Sequence, residues 1–165
     1  MANQFPTLSL EKGCGRGRRL AVVAARFNLE YTGRLLESCL SRLESLGLER
    51  SRVRVEWVPG AFELPLAAKA LASTGRFEAV VCLGAVLRGE TSHYDLVCAE
   101  AARGVSRAAL DTGVPVIFGV ITCENRRQAL ARCGGGPKDA GLHAASAALW
   151  MASLMGRLGR RGKGA

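Results

Sequence analysis

Short apolar runs alternate with longer segments of helical periodicity along almost the whole of this 165-residue chain. The expected strands are residues 20–25, 53–58, 77–83 and 114–121, and the expected helices are residues 29–48, 62–73, 96–111, 124–132 and 140–157. Residues 79–83 are continuously apolar, which is typical of a parallel strand that is buried on both faces. Helices that connect such strands cross over in a right-handed sense and cover both faces of the sheet. We therefore predict an α/β protein with a flavodoxin-like three-layer α/β/α fold and a four-stranded parallel sheet in the strand order 2-1-3-4.

The length of the chain and its distribution of charge indicate one domain with two basic ends. We expect a single domain over residues 20–158, a flexible basic arm over residues 1–19 and a basic tail over residues 159–165. The formal net charge of +9 is concentrated in those ends, which favours solvated arms over specific nucleic-acid recognition. Pro6 and the glycine and arginine residues before Leu20 could add an edge strand to a neighbouring copy of the chain.

Several classes of protein are not expected from the composition. No apolar run approaches the roughly 20 residues of a membrane span, and the start lacks the basic-then-apolar order of a secretory signal, so we expect a cytoplasmic location. The six cysteines include no C-x-x-C pair and are interpreted as reduced, packed thiols. The two histidines, His93 and His143, lie far apart with no cysteine pair nearby, so no metal site is expected.

Polar loops follow the expected strands at the edge of the sheet where ligands of open α/β folds bind. The richest is Leu83-Gly-Ala-Val-Leu-Arg-Gly-Glu-Thr-Ser-His93, in which Arg88 and Thr91 could contact an anion. His93 could transfer protons near neutral pH. Three more loops should converge on the same edge, and these are Arg26-Phe-Asn28, Val58-Pro-Gly-Ala-Phe-Glu-Leu-Pro65 and Phe118-Gly-Val-Ile-Thr122.

Together these four motifs resemble the signatures of the 6,7-dimethyl-8-ribityllumazine synthase family, and the resemblance extends over residues 20–154. It implies a transferase of riboflavin biosynthesis that acts at the penultimate step. The implied reaction condenses 5-amino-6-(D-ribitylamino)uracil with 3,4-dihydroxy-2-butanone 4-phosphate and releases phosphate and water, with no cofactor. It also implies a homo-oligomer, either a pentamer or a shell of twelve pentamers, and riboflavin synthase as a further partner. The short segment between the last two helices favours the shell.

The resemblance also assigns roles to individual residues. His93 matches the proton-transfer residue, and Phe27 matches an aromatic ring that stacks on the pyrimidine. The remaining residues matched to the uracil substrate are Ala61, Phe62, Glu63, Ala85, Val86, Leu87 and Phe118. Those matched to the butanone phosphate are Glu90, Thr91 and Arg132, and the family's arginine arrives from the neighbouring subunit. At Glu90 we expect a backbone N–H to make the contact while the side chain points away.

Each of these residues also has a simpler interpretation. Phe27 could be a core residue, Glu63 could complement the dipole of a helix start, and Arg132 could be an ordinary surface charge. His93 could be a loop histidine that bonds a carboxylate or a carbonyl. The chain also departs from the family, which usually has Asn-Lys-Gly where this sequence has Asp139-Ala-Gly141.

The departures bear on the strength of phosphate binding more than on the type of reaction. Lys138 could replace the missing lysine, and His143 stands where the family commonly has glutamate. Two rival hypotheses follow: a flavin- or phosphosugar-binding module without catalysis, and a catalytically silent cage that binds polyanions.

Overall fold

The structure is a computed structural model and describes residues 10–161. Its strands are β1 (Leu20–Ala25), β2 (Val53–Val58), β3 (Ala79–Leu87) and β4 (Val116–Cys123). Its α-helices are α1 (Leu29–Ser45), α2 (Leu64–Ala72), α3 (His93–Thr112), α4 (Arg126–Ala131) and α5 (Ala140–Arg161). Two short 3-10 helices, Arg50–Arg52 and Ala61–Glu63, precede β2 and α2. All strand pairs are parallel and the order is β2-β1-β3-β4, which confirms the predicted fold class and strand order.

Helices cover both faces of the sheet, and this explains why its central strands are continuously apolar. Every residue of β1 is buried, and successive residues enter two different cores. Leu20 and Val22 pack in the core on the side of α1 and α5, whereas Ala21 and Val23 pack in the core on the side of α2 and α3. The three layers therefore follow from the sequence pattern.

The region from β3 to α3 differs from the prediction. Strand β3 continues four residues past the predicted end at Leu83, because β4 also extends and pairs with it as far as Leu87 opposite Cys123. Helix α3 begins at His93 instead of residue 96. Its first turn is polar, so the apolar periodicity that predicts the helix starts one turn too late. His93 is thus the first residue of a helix and only residues 88–92 form the loop.

The other boundaries differ by a few residues. Helix α1 ends at Ser45, α2 starts after the 3-10 turn at Leu64, and α4 starts at Arg126, where the Asn125 side chain accepts a hydrogen bond from Gln128 N (3.0 Å). Helix α5 continues to Arg161.

Residues 10–19, which belong to the expected arm, form turns against the domain. Gly15 N donates to Leu46 O (3.0 Å), and the Arg18 side chain binds Glu78 and Ser153. The expected pairing of Pro6 with a neighbouring subunit lies outside the described residues.

All six cysteines are free thiols, as predicted, and four of them are buried. Burial raises the pKa of Cys39 and of Cys82 to about 12. No helix formed by residues 10–161 is long and apolar enough to cross a membrane.

Candidate active site

A cavity of about 580 Å³ opens at the carboxyl edge of the sheet, where the ends of β1 and β3 meet the starts of α1 and α3. The residues that line it are Phe27, Asn28, Gly60, Ala61, Phe62, Glu63, Ala85, Val86, Leu87, His93, Leu96 and Val97. We call it the apolar cavity, since most of these side chains are hydrophobic. Eight of the sequence-predicted site residues meet here: Phe27, Ala61, Phe62, Glu63, Ala85, Val86, Leu87 and His93.

Two aromatic rings stand exposed at the apolar cavity. Phe27 is 72% exposed and Phe62 is 59% exposed. A phenylalanine that serves the core is normally buried, so the core interpretation of Phe27 does not fit. Exposed rings beside a cavity offer flat faces on which a heteroaromatic ligand can stack.

The loop that carries Phe27 is fixed by hydrogen bonds to neighbouring elements. Arg26 N donates to Val58 O (2.9 Å), and Phe27 N donates to Pro59 O (2.9 Å). Asn28 has φ +58° and ψ +44°, and it is the sole non-glycine residue with positive φ within residues 10–161. Its Nδ2 donates to Ala85 O (2.8 Å) and thereby joins the start of α1 to β3. Asparagine tolerates this left-handed conformation better than most residues, which explains its place in the turn.

Glu63 serves both the helix start and the apolar cavity. Its Oε2 accepts a hydrogen bond from Gly60 N (2.9 Å) at the start of the 3-10 turn before α2, which agrees with the helix-start interpretation. Its other carboxylate oxygen accepts no hydrogen bond from any described residue and remains available to a ligand in the cavity.

His93 is exposed at the first position of α3. Its backbone N–H donates to Thr91 Oγ1 (3.3 Å), but its ring makes no hydrogen bond to any residue between 10 and 161. The alternative of a histidine bonded to a carboxylate or carbonyl is therefore not what the described residues show. Glu90 and Thr91 are exposed in the loop before it and do not line the apolar cavity.

Arg88 is bound to two carboxylates of this chain, and the expected contact of Arg88 with a ligand anion stays a prediction. Its guanidinium donates to Asp95 through Nη1 (3.2 Å) and Nη2 (2.9 Å), and to Glu124 through Nε (2.8 Å). The hydrogen bonds from Arg88 hold the pKa of the Asp95 carboxyl below its ordinary value of 3.8. Asp95 therefore stays charged near neutral pH.

A second hollow, of about 440 Å³, lies between β4 and α5. Its lining consists of Ile117, Phe118, Arg132, Lys138, Ala140, His143, Ala144 and Ala147. It contains two cationic side chains and a histidine but no carboxylate, so we call it the basic hollow. Arg132 donates to Gln128 O (3.1 Å) through Nη1 and keeps further N–H groups for a ligand.

A buried carboxylate fixes the loop beside the basic hollow. Asp139 is fully buried at the start of α5 and accepts hydrogen bonds from three backbone N–H groups and from Ser38 Oγ (2.7 Å). The backbone donors are Gly135 (2.7 Å), Gly141 (2.8 Å) and Leu142 (3.1 Å). His143 Nε2 donates to Pro137 O (2.8 Å) from the other side. Lys138 thus sits in a loop that is held at both ends.

The two concavities are separate on one chain. Phe118 and Arg132 line the basic hollow, whereas Phe27, Glu63 and His93 line the apolar cavity. The structure therefore does not bring all sequence-predicted site residues together within a single subunit.

Several residues that line the apolar cavity were not predicted from the sequence. Asn28 was part of a motif but was given no role, and Gly60, Leu96 and Val97 were not singled out. The position of Asn28 between a strand and a helix could have indicated a left-handed turn. No group of three or more His, Cys, Asp or Glu side chains that could hold a metal ion occurs in the part of the chain that the structure describes.

The fold and the site define a flavodoxin-like α/β protein whose ligand cavity lies at the carboxyl edge of a parallel sheet. The sequence model of the 6,7-dimethyl-8-ribityllumazine synthase family matches residues 17–156. Since this match covers most of the chain, the chain belongs to that family. The family consists of transferase enzymes of riboflavin biosynthesis that act on small molecules and typically assemble as homo-oligomers.

Proposed function

We propose that this protein condenses 5-amino-6-(D-ribitylamino)uracil with 3,4-dihydroxy-2-butanone 4-phosphate to give 6,7-dimethyl-8-ribityllumazine, phosphate and water. The observation that carries the proposal is that three different groups line one cavity. They are the exposed ring of Phe27, the Glu63 carboxylate with one oxygen that accepts no hydrogen bond from a described residue, and the His93 imidazole, which makes no hydrogen bond to a described residue. These three groups match the three parts of the uracil substrate's chemistry: a flat ring, a chain of hydroxyl groups and amine protons that must move.

The apolar cavity would hold the uracil substrate. An offset stack on Phe27 contributes about 0.5–1.5 kcal/mol beyond area burial. Strand β3 pairs with β1 only as far as Leu83, but with β4 as far as Leu87. Arg88 N donates to Cys123 O on the β4 side. Because backbone groups of successive residues in a strand point to opposite sides, the N–H and C=O of Leu87 point to the other side, where β1 no longer pairs with β3. Those groups can pair with the amide edge of a uracil ring.

His93 would move the protons. Imine formation, phosphate elimination and ring closure each need a proton to be given or taken, and an imidazole does both near neutral pH. The exposed position of His93 at the start of α3 leaves its ring free to contact the reacting amine. Glu63, through its free oxygen, would accept hydrogen bonds from the ribityl hydroxyl groups.

The basic hollow would hold the phosphate of the second substrate. Arg132 and Lys138 supply two positive charges, and charge-assisted hydrogen bonds to phosphate are the stronger class. Lys138 would contact the phosphate in place of the family's lysine, since this chain has Ala140 at that lysine's position. Glu90 and Thr91, in the loop next to His93, would contact the phosphorylated substrate from the first subunit.

The separation of the two concavities supports an active site formed between subunits. A cyclic pentamer would bring the basic hollow of one copy against the apolar cavity of the next, because a head-to-tail interface joins two different surfaces. Twelve such pentamers would form the shell that the short loop before α5 favours.

Subunit complementation tests both the reaction and the shared site. His93→Ala and Arg132→Ala variants are unfolded together, refolded together and assayed by the absorbance of the lumazine product. Random mixing restores about one intact site in four, so activity should exceed the sum of the separately assembled variants when the phosphorylated substrate is kept well below its KM in the Arg132→Ala variant. Particle size, measured on the same samples, distinguishes a pentamer from a shell.

Two results would count against this proposal. If mixed particles form but their activity only equals that sum, the site does not combine residues of two subunits. If the wild-type particle assembles but forms no lumazine, the chain is a scaffold and not an enzyme.

A further inference from the structure

We propose that Arg88 is a positioning residue that locks the first turn of α3, and with it His93, against the end of β3. This inference rests on the proposed function, because it assigns a purpose to the placement of His93. Arg88 itself does not line the apolar cavity.

Arg88 connects three elements that otherwise meet only at the edge of the sheet. Its backbone N–H extends the pairing of β3 with β4 by donating to Cys123 O (2.9 Å). Its guanidinium grips Asp95 in the first turn of α3 through two nitrogens and Glu124 after β4 through a third. The guanidinium carbon also lies 4.1 Å from the centre of the Tyr94 ring, and Tyr94 follows His93 directly. We call this set of contacts the Arg88 latch.

Other means of holding the start of α3 are weak among the described residues. Ser92, at the capping position, makes no side-chain cap hydrogen bond, and Thr91 reaches His93 N only at 3.3 Å. The fully buried residues of α3 begin at Ala101, and within the first two turns Val97 is only partly buried where it packs against the core on the side of α2 and α3. Among the described residues, the ion pairs of the Arg88 latch tie the first turn of α3, where His93 stands, to the residues that follow β3 and β4.

The chemistry of the latch suits a positioning role better than a stabilising one. Exposed ion pairs contribute little to folding, and the side chains of Arg88 and Asp95 are 36% and 58% exposed. The planar guanidinium, however, fixes direction, since a bidentate pair and a stacked ring both demand one orientation. Loss of Arg88 should thus disturb the geometry of α3 without unfolding the domain.

The latch should also stay closed over the pH range in which the reaction is assayed. The hydrogen bonds from Arg88 lower the pKa of Asp95, so the stabilisation from this pair is present above the ordinary carboxyl pKa and is lost only as pH falls below it. A change in the pH profile near neutrality therefore does not report on protonation of Asp95.

The test is a double-mutant cycle between Arg88→Met and His93→Ala. A misplacement of about 1 Å can cost up to roughly 10²-fold in rate, so we expect Arg88→Met to lower kcat about tenfold or more while KM for the phosphorylated substrate changes little. In the His93→Ala background the same substitution should have almost no further effect. Arg88→Lys, which keeps the charge but loses the fork, should fall in between.

Arg103→Met is the matched control. Arg103 lies on α3 and, like Arg88, pairs with a carboxylate and does not line the apolar cavity, but its partner Glu100 belongs to the same helix, so this pair joins no two elements. Its removal should leave kcat unchanged. If the effects of Arg88→Met and His93→Ala simply multiply, or if Arg88→Met is as active as the wild type, the positioning role is wrong.

Hydrogen exchange measured by mass spectrometry tests the latch without any substrate. Arg88→Met should accelerate exchange in a peptide that covers residues 88–98 and should leave α5 unchanged. If Arg88→Met accelerates exchange but the wild-type protein forms no lumazine, the positioning role of Arg88 is kept and the proposed function is rejected. Unchanged exchange in an active protein would reject the latch alone.

Discussion

The apolar cavity and the basic hollow differ in almost every physical property. The first presents two exposed aromatic rings, a single carboxylate and a histidine, whereas the second presents Arg132, Lys138 and a histidine with no acid. One is suited to a flat, uncharged ring and the other to an anion. A reaction between a pyrimidine and a phosphorylated ketone needs both, and one subunit offers them at separate places. Under the proposed function these two concavities are half-sites, which a second copy of the chain would bring together.

The two half-sites are also held in different ways. The apolar cavity is fixed by backbone contacts at strand ends, of which the Asn28 hydrogen bond to Ala85 is the clearest. The basic hollow depends on one buried carboxylate, Asp139, which orders the loop that carries Lys138. A substitution at Ala140, the residue after Asp139, can therefore change the number of positive charges in the basic hollow without changing the path of the backbone. Substitutions in each half-site should separate these properties.

The largest effect is expected at the apolar cavity from His93→Ala. A general acid–base residue typically supplies about 10²–10⁴-fold, whereas holding two reactants together can supply effective molarities of about 10⁵–10⁸ M. We therefore expect kcat to fall by about 10²–10⁴-fold while measurable turnover remains. His143→Ala, the only other histidine substitution that the chain allows, should leave kcat nearly intact. Complete loss in an assembled His93→Ala particle that still binds substrate would contradict this division of labour.

The next largest effect concerns Asp139 and is one of stability. Asp139→Ala leaves three backbone donors and one hydroxyl donor without their acceptor in a buried place, so the free energy of unfolding should fall by roughly 2–5 kcal/mol. Asp139→Asn keeps one accepting oxygen and should lose less. Thermal unfolding at a fixed subunit concentration measures both. Equal stability of the alanine and asparagine variants would show that the carboxylate does not organise the loop.

The architecture was predictable because it follows from local patterns. Continuous apolar runs such as residues 79–83 predict central parallel strands, and the helical segments between them predict helices that cross over from one parallel strand to the next. The region from β3 to α3 was misplaced for a physical reason: the polar first turn of α3 gives no apolar periodicity, and tertiary contacts from Arg88 hold it in place.

The site was predictable only where a motif carried it. The motif residues Phe27, Glu63 and His93 line one cavity, and the roles that the resemblance assigns to them stay predictions. The partners of charged side chains were not predictable, because Arg88 and Glu124 are far apart in the sequence and meet only when β3 pairs with β4. The four hydrogen bonds to Asp139 likewise depend on α1 and the glycine-rich loop meeting at one point.

At the basic hollow, Arg132→Ala should weaken the binding of the phosphorylated substrate. A hydrogen bond to a charged group contributes about 1.5–3 kcal/mol, so KM for that substrate should rise by about 10–150-fold, with little change in KM for the uracil substrate. Arg127→Ala is the matched control, since Arg127 is exposed on the same helix and does not line the hollow. Equal rises in both KM values would mean that Arg132 supports the assembly and does not bind the phosphate.

The smallest effect is expected from a substitution of Lys138. It tests whether Lys138 replaces the lysine that the family usually has at position 140. A lysine is a point charge without the fork of arginine, so Lys138→Ala should raise KM for the phosphorylated substrate by about tenfold or less. Ala140 lines the same hollow as Lys138, so a lysine placed at position 140 would point its charge at the same anion. The double variant Lys138→Ala/Ala140→Lys should therefore recover most of the lost affinity, measured as KM and as inhibition by inorganic phosphate. Suppose instead that Lys138→Ala has no effect while Ala140→Lys alone tightens phosphate binding. The phosphate is then bound by Arg132 without Lys138, and Lys138 does not replace the lysine that the family has at position 140.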